Sequence, residues 1–263
     1  MGISETTLIY IAPLFFGVSF IYSSVGFGGG SSYIAILVLF GVSLFTVPPI
    51  ALVLNIIVAG IAMINFARLG HLSLKFALPF LSSVPFAYFA GTIILPAQQL
   101  ALIFVVALFA ASAALLVSGK RNRFNVVQAK AKELRLDQMK KIALIGIPAG
   151  AAMGLVAGIV GIGGGIWLSP LLILTGMADP KRAAATSSLF ILANSISGFF
   201  GQSISKPVDL SLLVPLAIIV LAGALIGSRF GAVKLDHDKI RMIVGAVVAV
   251  AGINLMFKFL LVR

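Results

Sequence analysis

The sequence predicts an all-α polytopic membrane protein built from two inverted repeats. Each repeat has about five apolar segments, one of them a helix that glycines break or fold into a re-entrant hairpin. Three observations predict it. Composition is the first: 60% of the 263 residues are hydrophobic and 10% are charged, with mean hydropathy +1.17. A soluble domain carries about a quarter charged residues to coat its surface, which this chain lacks. The second is a series of apolar stretches of bilayer length, and the third is a duplicated glycine cluster.

About twenty apolar residues cross a hydrocarbon core. Apolar segments lie at 7–25, 31–45, 47–67, 74–95, 98–118, 142–160, 165–178, 183–204, 208–228 and 239–261. The first lacks the basic flank and cleavage site of a signal peptide, so it reads as a permanent helix. Segments 31–45 and 165–178 are short, and both follow glycines. Short, glycine-interrupted segments at matching positions of two halves point to a transporter binding site.

Net charge is +12, from 19 Lys and Arg against 7 Asp and Glu. The basic residues sit between apolar runs and form no stripe, so nucleic-acid binding is set aside in favour of the lipid bilayer. If all ten segments cross and 119–141 is cytoplasmic, 16 of the 19 basic residues fall on the cytoplasmic side. That asymmetry matches the positive-inside rule of a multi-pass protein of the cell (inner) membrane. Both termini then lie outside, and five crossings per half invert one half against the other. The stretch 119–141 reads as a basic cytoplasmic linker between a first repeat, 1–118, and a second, 142–263.

The repeat is visible in GFGGGSSYIAILVLFG (26–41) and GIGGGIWLSPLLILTG (161–176). Gly26, Gly28, Gly29, Gly30 and Gly41 meet Gly161, Gly163, Gly164, Gly165 and Gly176 at an offset of 135; Pro79 meets Pro215 and Gly91 meets Gly227 at 136. Asn55 falls near Asn194 after a short insertion. A repeated order of this kind marks a duplicated structural unit.

GxGGG also occurs in nucleotide-binding loops, but those need a preceding strand in a soluble βαβ unit. Here consecutive glycines open the backbone at membrane depth, which is tolerated only inside protein or beside a watery cavity. The helix that restarts after each cluster presents free N–H groups and a positive dipole end, an anion site. The candidate binding residues are Gly28, Gly29, Gly30, Ser31, Ser32 and Asn55 in the first half. In the second they are Gly163, Gly164, Gly165, Ile166, Trp167, Ser187, Ser188 and Asn194. Close helix packing through small residues is the competing explanation of the glycines. Tyr22, Tyr33, Asn65, Thr186, Ser195 and Gln202 are further polar residues within the spans, each explicable as an interhelical hydrogen bond.

All seven acidic residues lie in loops or at helix ends. A transported cation would call for a carboxylate at mid-depth, so the pattern favours a small anion. Proton coupling stays open through His71, Asp179 or protonation of the substrate itself. The absence of cysteine excludes disulfides and thiolate metal sites, and two distant histidines, His71 and His237, make no metal cluster. No cofactor is expected. Without an intramembrane acid or a nucleophile–base pair, catalysis is not expected either. An anion channel with the same residues and an assembly protein docking through 119–141 are the alternatives to a carrier.

The two clusters, the proline of GIGGGIWLSPLL and the run AAATSSLFILANSISG (183–198) resemble the TauE/SafE-type sulfite exporter family over most of the chain. The resemblance implies a membrane transporter of sulfite, sulfonates such as sulfoacetate, or related sulfur anions. It would bind its substrate between the two broken-helix N-termini and move it by rocking one repeat against the other. Oligomeric state is open, with a homodimer as one arrangement. The halves differ: Ala35 stands where Pro170 would be, and PPIALVLN replaces the TSS run, so the half-sites are not equivalent.

Overall fold

A computed structural model describes residues 5–43, 45–93 and 136–234, with isolated positions 242, 246 and 253. The predicted segments 98–118 and 239–261 and most of the basic linker lie outside the described residues.

Helix is the regular structure of the described residues, without a strand. The helices are α1 (Glu5–Ser24), α2 (Gly30–Leu39), α3 (Val47–Arg68), α4 (Leu74–Ala77), α5 (Ser83–Gly91), α6 (Leu136–Val160), α7 (Gly165–Leu174), α8 (Pro180–Ser203) and α9 (Leu210–Lys234). A 3₁₀ stretch, Leu78–Ser82, joins α4 to α5. Pro79 lies at its start, where a missing N–H and a fixed φ tighten the chain, so the predicted segment 74–95 is not one continuous helix. α6 begins inside the stretch read as linker.

Among the described residues five runs are long and apolar enough to cross a membrane: α3, Leu74–Gly91, Ile142–Val160 of α6, α8 and α9. The apolar part of α1, Leu8–Ser24, is shorter. α2 and α7 have ten residues each, which at about 1.5 Å per residue is roughly 15 Å, half of a hydrocarbon core of about 30 Å.

Polarity is distributed inside out. Ile9, Leu144, Leu210 and Ile218 are more than 60% exposed, whereas Ser23, Asn55, Ser83, Thr186, Ser187, Ser188, Asn194 and Gln202 are buried. Apolar side chains on the outside suit lipid, and polar ones are withdrawn from it into the protein interior. This is a multi-pass membrane protein.

Helices from the two ends of the chain interlace. α1 lies along α9, which also packs on α3, while α5 lies along α6 and α8. The two groups, α1–α3 with α9 and α4–α8, meet along α3 and α8. Small residues permit each close approach. A Cβ built on Gly227 of α9 would fall on the carbonyl of Phe20, and one on Gly231 on that of Ser24. Likewise a Cβ on Gly154 or Gly158 of α6 would strike the carbonyl of Ser83 or Ala87. Polar ties add to this: Asn65 Nδ2 donates to Ser228 Oγ at 2.7 Å, Ser197 Oγ to the Val84 carbonyl at 2.5 Å and Gln202 Nε2 to the Gly158 carbonyl at 2.7 Å.

Candidate functional site

The first glycine turn begins where α1 ends. The N–H of Phe27 donates to the Tyr22 carbonyl at 2.8 Å and that of Gly26 to Ser23 at 3.2 Å. This is a helix stop of the Schellman type with Gly26 in the left-handed conformation. α6 stops similarly at Gly161, whose N–H reaches the Ala157 carbonyl at 2.8 Å. Each new helix then starts from a left-handed glycine: Gly29 (φ 85°) caps α2 and Gly164 (φ 72°) caps α7, neither with a side-chain cap. The first N–H groups of a helix have no partner within it, so both turns present donors in the protein interior.

The two turns converge on α3 and α8. A Cβ on Gly28 would fall on Asn55 Oδ1 and lie 3.0 Å from Ile191; one on Gly30 would fall on Asn55 Nδ2. A Cβ on Gly163 would lie 2.6 Å from Ser195 Oγ, 3.0 Å from Ile191 and 3.3 Å from Asn55 Nδ2, and one on Gly165 would fall on Ile191. Asn55 Nδ2 donates to the Ile162 carbonyl at 3.0 Å and so ties α3 to the second turn. A small cavity lies beside the first turn. It is lined by Tyr22, Phe27, Gly28–Ser31, Ile162 and Ile191.

These side chains leave polar groups uncommitted. Ser31 Oγ, Asn55 Oδ1, Ser187 Oγ and Ser195 Oγ are buried with no hydrogen-bond partner among the described residues. Hydroxyls and amides withdrawn from water are normally bonded, and the Ser31 hydroxyl, which lines the cavity, is open to a polar guest. Tyr22 Oη and Ser32 Oγ are bonded to each other at 2.7 Å.

The predicted residues divide as follows. Gly28, Gly29, Gly30 and Ser31 line the cavity, and Ser32 joins through Tyr22. Gly163, Gly165 and Asn55 meet around Ile191. Gly164 packs instead on Ala157 and Phe190, and Trp167 is buried in the apolar core with Ile162 and Ile191. Ile166 belongs to the first turn of α7. Ser187 presents its carbonyl 3.1 Å from the position of a Cβ on Gly165. Ser188 and Asn194 bond within α8, to the carbonyls of Ala185 (2.8 Å) and Phe190 (2.8 Å). Tyr22, Ser195, Ile162 and Ile191 join the site without having been singled out. Tyr22 and Ser195 were visible only as two polar residues among many; the isoleucines carry no polar signal.

Asp179 is the N-cap of α8: its carboxylate accepts from the N–H groups of Lys181 (3.0 Å) and Arg182 (3.1 Å). Asp179→Asn keeps a good cap and removes the negative charge, whereas Asp179→Ala loses about 1 kcal/mol of stability. If Asp179 acts only as a cap, thermal unfolding and transport of the Asn variant match wild type, and the Ala variant is destabilised.

An inside-out helical bundle with broken helices in its interior defines a class, the multi-pass membrane protein. Residues 11–255 match the family described as sulfite exporter TauE/SafE, and the chain belongs to that family. It is 30% identical over 258 residues to the probable membrane transporter protein y4hK of Sinorhizobium fredii, covering 96% of this chain and all of that one. The probable membrane transporter protein YunE of Bacillus subtilis is 33% identical over 119 residues, 44% of this chain and 42% of YunE. MamO of Paramagnetospirillum magneticum, also named a probable membrane transporter protein, is 24% identical over 253 residues, 84% of this chain and 40% of MamO. No solved structure matches. The chain is thus a membrane transporter and not an enzyme.

Proposed function

We propose that this protein is a secondary transporter of a small sulfur-containing oxyanion such as sulfite or a sulfonate. The anion sits between the N-termini of α2 and α7 and moves by alternating access. The carrying observation is the convergence of both glycine turns on Asn55 and Ile191, beside a cavity bearing the unbonded, buried hydroxyl of Ser31. Oxyanions accept hydrogen bonds from N–H and O–H groups at helix N-termini. Sulfur as the central atom comes from the family's name.

An inverted repeat underlies the site in this reading. Reciprocal contacts support it: Gly26 meets Ala184 while Gly161 meets Pro48, and Gly29 meets Val18 while Gly164 meets the Met153 carbonyl. Offsets of 135 and 136 relate each pair, and the same offset aligns Asn55 with Ile191 in place of Asn194. The rocking bodies are then the two interlaced groups, α1–α3 with α9 against α4–α8, instead of the two halves of the sequence.

Ligand-dependent thermal stabilisation of the detergent-purified protein tests the substrate. Sulfite, thiosulfate, sulfoacetate, sulfate, phosphate and chloride form the panel. A true substrate at a hundred times its Kd stabilises the fold by about 2.7 kcal/mol. Stabilisation by a sulfur oxyanion and none by chloride is the expected result; no response to any sulfur anion would remove the reading.

A further inference from the structure

We infer that Asn55 is the tie between the two rocking bodies, and that an anion entering the cavity releases it by taking its amide hydrogen. This deepens the alternating-access reading above and rests on it.

Within each body the helices are knit closely. Gly227 and Gly231 of α9 press on carbonyls at the end of α1, and Gly154 and Gly158 of α6 on carbonyls of α5. The hydrogen bonds Asn65–Ser228, Ser197–Val84 and Gln202–Gly158 each stay inside one body. Between the bodies the contacts are of another kind. The glycine turns press on the facing body at Ala184 and Pro48. Between those points α3 and α8 touch through aliphatic carbons. Leu192 Cδ1 would lie 3.7 Å from a Cβ on Gly60, and Leu52 Cδ1 3.6 Å from one on Gly198. Dispersion contacts are individually weak and carry no direction, so they permit a shift.

Asn55 Nδ2 crosses this join to the Ile162 carbonyl at 3.0 Å. A carbonyl only accepts, so the amide nitrogen and not its oxygen must face Ile162. Asn55 is fully buried. Parting the bodies away from water would leave the Ile162 carbonyl and an amide hydrogen unbonded, which is costly. A directional bond in an apolar join therefore favours one arrangement of the bodies.

The cavity lies on the same join. Tyr22, Phe27 and Gly28–Ser31 wall it from one body, Ile162 and Ile191 from the other. Asn55 backs both walls: its amide fills the space a Cβ would take at Gly28 and Gly30, and it holds Ile162. The cavity has room for about one water molecule, so an oxyanion enters only as the walls part. Hydrogen bonds to an ionised acceptor are about twice as strong as neutral ones, so the anion displaces Ile162 from the Asn55 amide. Because it fits the parted arrangement and not the closed one, it shifts the bodies toward parting. The empty carrier stays tied.

The chain contains no cysteine, so single cysteines report on the join. Leu52→Cys and Gly60→Cys place a thiol against α8 before and after Asn55; Ser228→Cys, buried between α9 and α3 inside one body, is the control. Labelling of the purified full chain by a water-soluble maleimide measures how often the join opens. One hydrogen bond shifts such an equilibrium by roughly two- to tenfold. Without anion, Asn55→Ala and the near-isosteric Asn55→Leu are each expected to keep a cooperative thermal transition. Both are expected to speed labelling at Leu52→Cys or Gly60→Cys by that factor and to leave Ser228→Cys unchanged. Methanesulfonate, an oxyanion inert to maleimides, is expected to speed labelling similarly when Asn55 is present and to add little in the variants.

Unchanged labelling in both folded Asn55 variants would overturn the tie, as would equal acceleration at Ser228→Cys, which would mean general loosening. An equal response to methanesulfonate with and without Asn55 would overturn the release by the anion and leave the tie standing. Faster labelling in the variants with no response to methanesulfonate in the Asn55 protein would support the tie, overturn the release and count against the anion site itself.

Discussion

Gly164→Leu is expected to abolish transport while leaving the protein in the membrane. Gly164 caps α7 at φ 72°, a conformation that costs an ordinary residue about 1–2 kcal/mol. A Cβ there would lie 2.9 Å from Ala157 Cβ and 3.2 Å from the Phe190 ring, and leucine adds three more carbons. Overpacking of this kind costs about 1–3 kcal/mol further. The pressure falls on the start of α7, whose N–H groups are proposed to hold the anion. Insertion depends on the long apolar runs, which the substitution leaves alone. Flux assays in vesicles, normalised to inserted protein, measure the effect. Gly41→Leu is the matched control: φ is also positive (84°), but nothing lies within 4 Å, so transport persists. Wild-type flux through Gly164→Leu would remove the second turn from the mechanism.

The second large effect is structural. Gly227→Leu is expected to cost at least about 3 kcal/mol and to lower the yield of monodisperse protein. A Cβ at Gly227 falls on the Phe20 carbonyl and 2.6 Å from Ser23 Oγ. A backbone carbonyl inside a helix cannot step aside, so α9 must separate from α1. In a bilayer, where lipid tails are as apolar as leucine, close packing is what holds helices together. Thermal unfolding in detergent checks this, and a Tm equal to that of wild type would mean that α1 and α9 are not held by close contact.

The class of fold was legible because lipid imposes one simple demand, long apolar runs with internally bonded backbone. Segment edges followed from charges and glycines, as at Arg68 and Gly165. The break at Pro79 was missed because proline inside a membrane segment is common; α1, α6 and α9 keep Pro13, Pro148 and Pro215 within continuous helices. The glycine clusters stood out by repetition. Ile191 did not, since an isoleucine among apolar neighbours gives no sign that it faces three glycines. Nor did the exchange of helices between the halves. Gly223, Gly227 and Gly231 announce a close contact at four-residue spacing, but glycine does not say whose carbonyl it meets.

That exchange has a consequence for synthesis. α1 leaves the ribosome before α9, and the glycines that receive it there follow about 200 residues later. At about 5–20 residues per second the delay is about 10–40 s. Through that interval Ser19, Ser23 and Ser24 already have local bonds, to the carbonyls of Phe16, Phe20 and Ile21, so these three hydroxyls wait in lipid already bonded. A nascent chain arrested before α9 would hold α1 in the bilayer without the helix against which it closes.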